Sequence, residues 1–183
     1  MELKLTLMLN DDETDLGESH ILGCPDVPAK WNDDAVFFND EVFVGQINLK
    51  DVSTDLLPKH GILYFFFASM SKPYRGIVRY TNDLETLERV DFNEEVEFEA
   101  NFNQEYKIEI SESNNDIELL GKMPKFKHYK PAQDEVCLLK LDFTNYPNID
   151  LFNGTDEQVC YLIKKDDLLN GRFEKAYLSL TLN

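Results

Sequence analysis

Gly61-Ile62-Leu63-Tyr64-Phe65-Phe66-Phe67-Ala68 is almost wholly apolar and reads as a strand buried on both faces. The pattern returns later in the chain, where Ile62-Leu63-Tyr64-Phe65-Phe66 is matched by Val159-Cys160-Tyr161-Leu162-Ile163, 97 residues on. Two further segments behave the same way. Phe43-Val44-Gly45-Gln46-Ile47-Asn48-Leu49 recurs as Cys137-Leu138-Leu139-Lys140-Leu141-Asp142-Phe143 at an offset of 94, and Ile21-Leu22-Gly23 with Pro25 recurs as Leu119-Leu120-Gly121 with Pro124 at an offset of 98. Three segments kept in order at similar spacing predict an internal duplication. The expected fold is α+β and mostly antiparallel β. Residues 1–183 form one compact unit of two similar halves, approximately 1–112 and 113–183.

Outward from these landmarks the chain reads chiefly as strands. Leu3, Leu5, Leu7 and Leu9 alternate with Lys4, Thr6 and Met8 as a half-buried opening strand. Residues 35–38 and 42–49 are strand-like, and 77–80 is expected to pair beside 61–68. Further strands are expected at 135–143, 158–164 and 175–182. Residues 19–31, punctuated by Gly23, Pro25 and Pro28, read as an irregular, rigid segment. Residues 51–57 read as a short helix closed by Pro58, and 166–170 as a helical turn ended by Gly171. The cleanest period-2 signal lies at 94–111. There Val96, Phe98, Ala100 and Phe102 alternate with Glu95, Glu97, Glu99 and Asn101, and beyond Asn103-Gln104 the residues Tyr106, Ile108 and Ile110 alternate with Lys107 and Glu109. This predicts a hairpin with one apolar and one acidic face.

Charge narrows the partners. The net charge is −17 and is uneven: residues 1–100 hold 8 bases and 21 acids, residues 101–183 hold 10 and 14. Across 81–118, 13 acids meet only Arg89 and Lys107. Such a chain repels phosphate backbones, so nucleic acid is excluded as a partner and a basic protein is favoured. An apolar fraction of 43% supports a packed interior rather than a disordered chain. No window approaches 18 consecutive apolar residues, and Met1-Glu2-Leu3-Lys4-Leu5 lacks the basic start and apolar block of a secretory signal. A cytoplasmic protein without a membrane partner is expected. Cys24, Cys137 and Cys160 form no CxxC pair, and His20, His60 and His128 do not fall at metal-finger spacing. They read as buried or half-buried free thiols in a reducing compartment.

The motifs of reaction chemistry are missing: no GxSxG, HExxH, P-loop or GxGxxG occurs. Asp11-Asp12-Glu13-Thr14-Asp15 lacks the spacing of a calcium loop. No catalytic residue, cofactor or metal is therefore expected. Trp31 either anchors the Gly23-Pro25-Pro28 loop by burying its ring or stacks on a partner at the rim. Gln46, in an apolar strand, must satisfy its amide and is placed to tie that strand to a neighbouring loop. Lys122, Lys125, Lys127, His128 and Lys130 form a basic island that reads as a solvated loop, drawn to the acidic hairpin, or as a phosphate site.

The same landmarks resemble the YwqG-like family, a bacterial domain of unknown function. Ser19-His20-Ile21-Leu22-Gly23-Cys24-Pro25-Asp26-Val27-Pro28 is similar to that family's Ser-Lys-hydrophobic-Gly-Gly-x-Pro-x-x-Pro segment. Gln46-Ile47-Asn48-Leu49 and Leu57-Pro58-Lys59-His60-Gly61-Ile62-Leu63-Tyr64-Phe65-Phe66 resemble its Gln-Ile-Asn-Leu and Leu-Pro-x-x-Gly-x-Leu-Tyr-Phe-Phe strands. The segment beginning Asp167-Leu168 and reaching Phe173 resembles its closing motif. Leu120-Gly121-Lys122-Met123-Pro124-Lys125 departs from the family's Leu-Leu-Gly-Tyr-Pro-Asp, and the aspartate-glycine-rich approach to the second central strand shrinks to Asn153-Gly154-Thr155-Asp156-Glu157. The resemblance implies a duplicated β-rich fold and, through members beside secreted-toxin loci, an immunity role.

Together these readings describe a non-enzymatic binding protein, immunity- or antitoxin-like, that neutralises a basic toxin. Its candidate partner-binding residues are Glu95, Glu97, Glu99 and Trp31. The alternative is a small-ligand sensor or enzyme using a cleft between the halves. The sequence sets no oligomeric state.

Overall fold

The computed structural model describes residues 3–9, 14–33, 36–37, 40–68, 70, 74–91, 104–111, 117–126, 129–146, 149, 151 and 158–181. Within them lie twelve strands: β1 Leu3–Leu9, β2 His20–Ile21, β3 Asp26–Pro28, β4 Glu41–Asn48, β5 Ile62–Ala68, β6 Arg75–Thr81, β7 Leu87–Arg89, β8 Tyr106–Ser111, β9 Ile117–Leu119, β10 Glu135–Asp142, β11 Gln158–Lys164 and β12 Tyr177–Thr181. The described helices are two of five residues, α1 Ala29–Asp33 and α2 Lys165–Leu169, and two 3₁₀ turns, Leu49–Asp51 and Phe173–Lys175. The architecture is mostly antiparallel β. Ten strands form one sheet in the order β12-β11-β10-β9-β1-β8-β2-β4-β5-β6, with β3 and β7 as a separate pair.

The two-faced apolar strands explain how that sheet is covered. Along β5, Leu63, Phe65 and Phe67 enter the main core, while Ile62, Tyr64 and Phe66 enter a second cluster with Val27 and Phe43, flanked by Trp31, Phe37 and Leu87. Along β11, Val159, Tyr161 and Ile163 join the main core, while Cys160 and Leu162 face a third cluster with Cys137, flanked by Met123, Phe126 and Tyr177. The pleat makes this division, because alternate side chains leave opposite faces. Strands β6 and β12, at opposite ends of the pairing order, lie against one another. Gly76 permits the approach: a Cβ there would stand 2.6 Å from the Leu178 nitrogen. The sheet thus curls around its main core, where the Phe65 and Tyr161 rings meet edge-on at 5.1 Å and the Tyr161 hydroxyl donates to the Phe66 carbonyl at 3.0 Å.

Local geometry repeats between residues 20–52 and 118–146. Among the described residues, the non-glycine ones with positive φ are Leu22 and Leu120, at 58° and 52°, a strained region for a leucine. The Leu22 N–H donates to Val44 O and that of Leu120 to Leu138 O, both at 2.9 Å. Register shifts fall between Phe43 and Gly45 in β4 and between Cys137 and Leu139 in β10. Strand β9 lies beside β10 as β2 lies beside β4, with Glu118 opposite Lys140 and His20 opposite Gln46. Strand β8 pairs with β2, and β1 with β9. Between them, β1 and β8 pair antiparallel, with Lys4 in register with Ser111 and Met8 with Lys107.

Several expectations change. Residues 19–31 carry β2, β3 and the start of α1, because Pro28 ends a short strand whose other side is free of pairing. Residues 51–57 are not a helix: the helical turn comes earlier, at Leu49–Asp51, where the Asn48 side chain caps Lys50 N–H at 3.0 Å. Val36 and Phe37 are not strand, and residues 34–35 and 38–39 lie outside the described residues, as do 94–103 of the expected hairpin. Tyr64 on β5 and Tyr161 on β11, matched in the sequence, enter different clusters, the second cluster and the main core. Register pairs Tyr64 with Gln46 and Cys160 with Lys140, so the counterpart of Tyr161 is Phe65.

Candidate functional site

A buried polar network underlies the loop before β4, and it is assembled from residues that the chain cannot leave unpaired. Asp26 and Gln46 are both fully buried. The Asp26 carboxylate accepts from Gly17 N at 2.7 Å, Gln46 Nε2 at 2.9 Å, and Arg89 Nε and Nη2 at 2.8 and 3.1 Å. Gln46 Oε1 accepts from Asp26 N at 2.8 Å, and Nε2 also donates to Glu18 O at 2.8 Å. The amide therefore ties β4 to the loops on either side of β2, as the sequence suggested. The Tyr64 hydroxyl donates to Asp26 O at 2.5 Å. Burial, then the Asp26 charge, pushes that phenol far above its ordinary range, so it stays a donor.

His20, also fully buried, extends the network. Burial lowers its pKa below 6.5, outweighing the upward pull of Glu105 and then Asp26. The neutral ring that satisfies both sides donates from Nε2 to Cys24 O at 3.1 Å and accepts at Nδ1 from the Thr14 hydroxyl at 3.3 Å. Glu105 holds Thr14 N at 2.6 Å. In the second half, the register counterparts of His20 and Gln46 are Glu118 and Lys140, joined as a half-buried ion pair.

Against this framework sits a cleft of about 280 Å³ lined by Glu18, Ser19, Ile47, Asn48, Asp51, Val52, Lys107 and Ile108. All eight precede residue 113, so it belongs to β4, β8, the turn after β4 and the residues just before β2 rather than to a junction of residues 1–112 with 113–183. Its apolar floor, Ile47, Val52 and Ile108, is continuous with the main core. Hydrogen bonds fix its wall: Asn48 N donates to Ser19 Oγ at 2.8 Å and Asn48 Nδ2 to Gly17 O at 2.7 Å. At the rim, Lys107 Nζ lies 3.7 Å from Glu18 Oε2, both part-exposed. The exposed Asp51 carboxylate makes no hydrogen bond or ion pair among the described residues.

The remaining candidates lie elsewhere. Glu95, Glu97 and Glu99 are outside the described residues. Trp31 is half-buried, its ring edge-on to Tyr64 at 5.4 Å and to Phe37 at 6.2 Å, in the layer over the second cluster and away from the cleft lining. Of the basic island, Lys127 and His128 fall outside the described residues, while Lys122, Lys125 and Lys130 are exposed and Met123 and Phe126 cover the third cluster. Cys137 and Cys160 are buried free thiols and Cys24 is half-buried. The hydrogen bond with Cys137, then burial, pushes the Cys160 thiol far upward. No group of three or more His, Cys, Asp or Glu side chains suited to a metal occurs among the described residues, and no described helix is long and apolar enough to cross a membrane. Sequence reasoning singled out Gln46 but not its partner Asp26, 20 positions away, nor Arg89, 43 positions away, which binds Asp26 in turn; neither shares a pattern with it. No protein-family model matches the chain, and no curated protein matches it in sequence.

Proposed function

We propose that this chain is a non-enzymatic binding protein whose acidic exterior receives a basic protein partner, in the manner of an immunity or antitoxin-like protein acting on a cationic toxin in the cytoplasm. The observation that carries the reading is how the fold distributes charge. Arg79, Arg89 and Lys140 are paired with the buried acids Glu41, Asp26 and Glu118. Setting these three neutral pairs aside leaves 15 of the 18 bases against 32 of the 35 acids. Among the described residues Glu105 is the one buried acid without a lysine or arginine partner, so the interior takes up little of the excess. A net charge of this size speeds encounter with a cationic surface and repels nucleic acid. The alternative, a small-ligand sensor or enzyme, expects a largely apolar cleft. Here five of the eight lining residues are polar or charged, around an apolar floor, and the volume of about 280 Å³ is small for a ligand pocket.

On the same footing we read the fold as a duplication with exchanged opening strands, in keeping with the YwqG-like resemblance. Its support is the coincidence of Leu22 with Leu120 and of the two register shifts. The functional test begins with partners retained by the native chain, whose association rates are then measured at about 50 and about 300 mM salt. The expected partner is net positive, with an on-rate that falls about tenfold or more across that range. Reversing Glu95, Glu97 and Glu99 to Lys should slow association and flatten the salt dependence. A net-negative partner, or an on-rate indifferent to salt, overturns the reading.

A further inference from the structure

Deepening that reading, and resting on it, we infer that the cleft at Glu18, Asp51 and Lys107 is a socket for one arginine or lysine side chain of the basic partner. The lining matches an aliphatic stem that ends in a cation. Ile47, Val52 and Ile108 form an apolar floor for the methylenes, and the part-exposed Glu18 and exposed Asp51 carboxylates line the same cleft. Asp51 has no ion-pair partner among the described residues, and the Lys107–Glu18 contact at 3.7 Å, with side chains 44% and 32% exposed, is loose enough for a better-placed cation to replace it. At about 280 Å³ the cleft falls just below the ~300–1,000 Å³ typical of small-molecule pockets. That size suits a single side chain. Ser19 and Asn48 are already held by hydrogen bonds, so the wall needs little ordering on binding.

The second half supplies an internal comparison. Asn48 caps Lys50 N–H and Val52 N–H returns to Leu49 O, and in the same way Asp142 caps Thr144 N–H and Tyr146 N–H returns to Phe143 O. Val52 and Tyr146 therefore occupy the same place in the same turn. Tyr146 packs on the main core with its ring 6.3 Å from that of Tyr106, whereas Val52 is small and borders open space. The turn is common to both halves, and the smaller side chain accompanies the open cleft.

The probe is N-acetyl-arginine N-methylamide, titrated into the native chain and followed by backbone amide shifts. Saturable shifts are expected at Ser19, Asn48, Val52 and Lys107, with half-saturation at about 1–10 mM, as for a single anchored side chain. Asp51→Asn should weaken the probe about fivefold, the scale of one exposed ion pair. Lys107→Met should tighten it by removing the resident competitor, and Val52→Tyr should abolish saturation. Asp55→Asn, an exposed carboxylate paired with Lys59, should change nothing. Scattered, non-saturable shifts, weakening by Lys107→Met, or saturation by the N-acetyl-glutamate analogue overturns the socket. If Val52→Tyr does not fold, the opposite responses of the Asp51 and Lys107 variants still decide. A tetra-arginine peptide separates the two claims. Salt-sensitive binding of the peptide unaffected by Asp51→Asn and Val52→Tyr keeps the acidic-surface reading and sinks the socket. Probe saturation with no tighter binding of the peptide keeps the socket and sinks the acidic exterior as the recognition surface.

Discussion

Replacing Gln46 with Met isolates what the buried network contributes. The two side chains have similar length and volume, so the change leaves little cavity and removes three hydrogen bonds, at 2.8, 2.8 and 2.9 Å. Asp26 N–H and Glu18 C=O lose the partners they have there, while the Asp26 carboxylate keeps Gly17 N and Arg89. Each buried polar group left unsatisfied costs about 1–3 kcal/mol, so the loss should be about 2–6 kcal/mol. That is a large share of a total of about 5–15 kcal/mol. Urea unfolding should show a lower midpoint at an unchanged slope, because the surface exposed on unfolding is the same. Gln46→Glu is the sharper variant. It keeps an acceptor for Asp26 N–H but replaces the donor nitrogen with a carboxylate oxygen beside Asp26 Oδ2, so it should be the worse of the two at about pH 8 and recover, relative to the native chain, as the added acid protonates. A loss under about 1 kcal/mol for Gln46→Met, or a Gln46→Glu penalty independent of pH, would refute the argument that this amide holds the loops to β4.

Three further outcomes follow from the geometry. Gly76→Val should destabilise by about 1–3 kcal/mol or more in chemical unfolding, because its Cβ meets the Leu178 backbone rather than a movable side chain, and a change within 0.5 kcal/mol (about the noise of a surface substitution) would mean that β6 and β12 do not need their close approach. The folded His20 pKa lies below 6.5, so the neutral ring is favoured by folding: its contribution is full above that value and falls as pH drops below it, while the unfolded chain takes up the proton and the folded one resists. His20→Gln should flatten the decline in unfolding free energy between about pH 7 and about pH 5, and an unchanged slope would assign the decline to other groups. Thiol reagents should modify half-buried Cys24 first and reach Cys137 and Cys160 only on unfolding; rapid native labelling of Cys160 would contradict its upward-shifted pKa.

The parts of the fold carried by local periodicity were readable in advance. Strands β4, β5, β6, β10, β11 and β12 coincide closely with apolar or alternating runs, and Gly171 ends α2 in the left-handed region at φ 66°. What escaped depends on distant partners. Strand β9 is three residues long and exists as a strand because β1 and β10 flank it. Strand β7 has one apolar residue in three, Leu87, and forms because Pro25, Val27 and Ala29 lie alongside it. The face assignment of Tyr161 also escaped, since an apolar run looks alike in either register and only the pairing with β10 fixes it. Of the candidate site, Gln46 was legible as a polar residue in an apolar strand. The cleft was not, because Glu18, Asp51 and Lys107 have no mutual spacing until β2, β4 and β8 become neighbours.

On the duplication reading, residues 1–112 and 113–183 differ in chemistry at matching register positions. At matching register positions the second half places Glu118 against Lys140, a pair that neutralises itself and is enclosed by Gly121, where any Cβ would strike the Glu118 side chain. The first half places His20 and Gln46 there, neither of which satisfies the other, and both must recruit partners from outside the sheet: Thr14, Glu18, Cys24, Asp26 and, through Asp26, Arg89. That recruitment draws the loops before and after β2 into fixed positions and brings β7 alongside β3. It also sets Glu18 and Ser19 in the lining of the cleft, with Asp51. A self-contained ion pair needs no such loops, and at the equivalent turn Tyr146 packs into the core. Restoring the second half's chemistry to the first, with His20→Glu and Gln46→Lys together, should therefore preserve the strand pairing better than either change alone, since the double variant can form its own ion pair. It should nonetheless release Glu18 and Asp26 from Gln46 and disturb the amide resonances of Ser19 and Asn48. Undisturbed resonances there in a folded double variant would separate the cleft from the network and leave its shape to β4 and β8 alone.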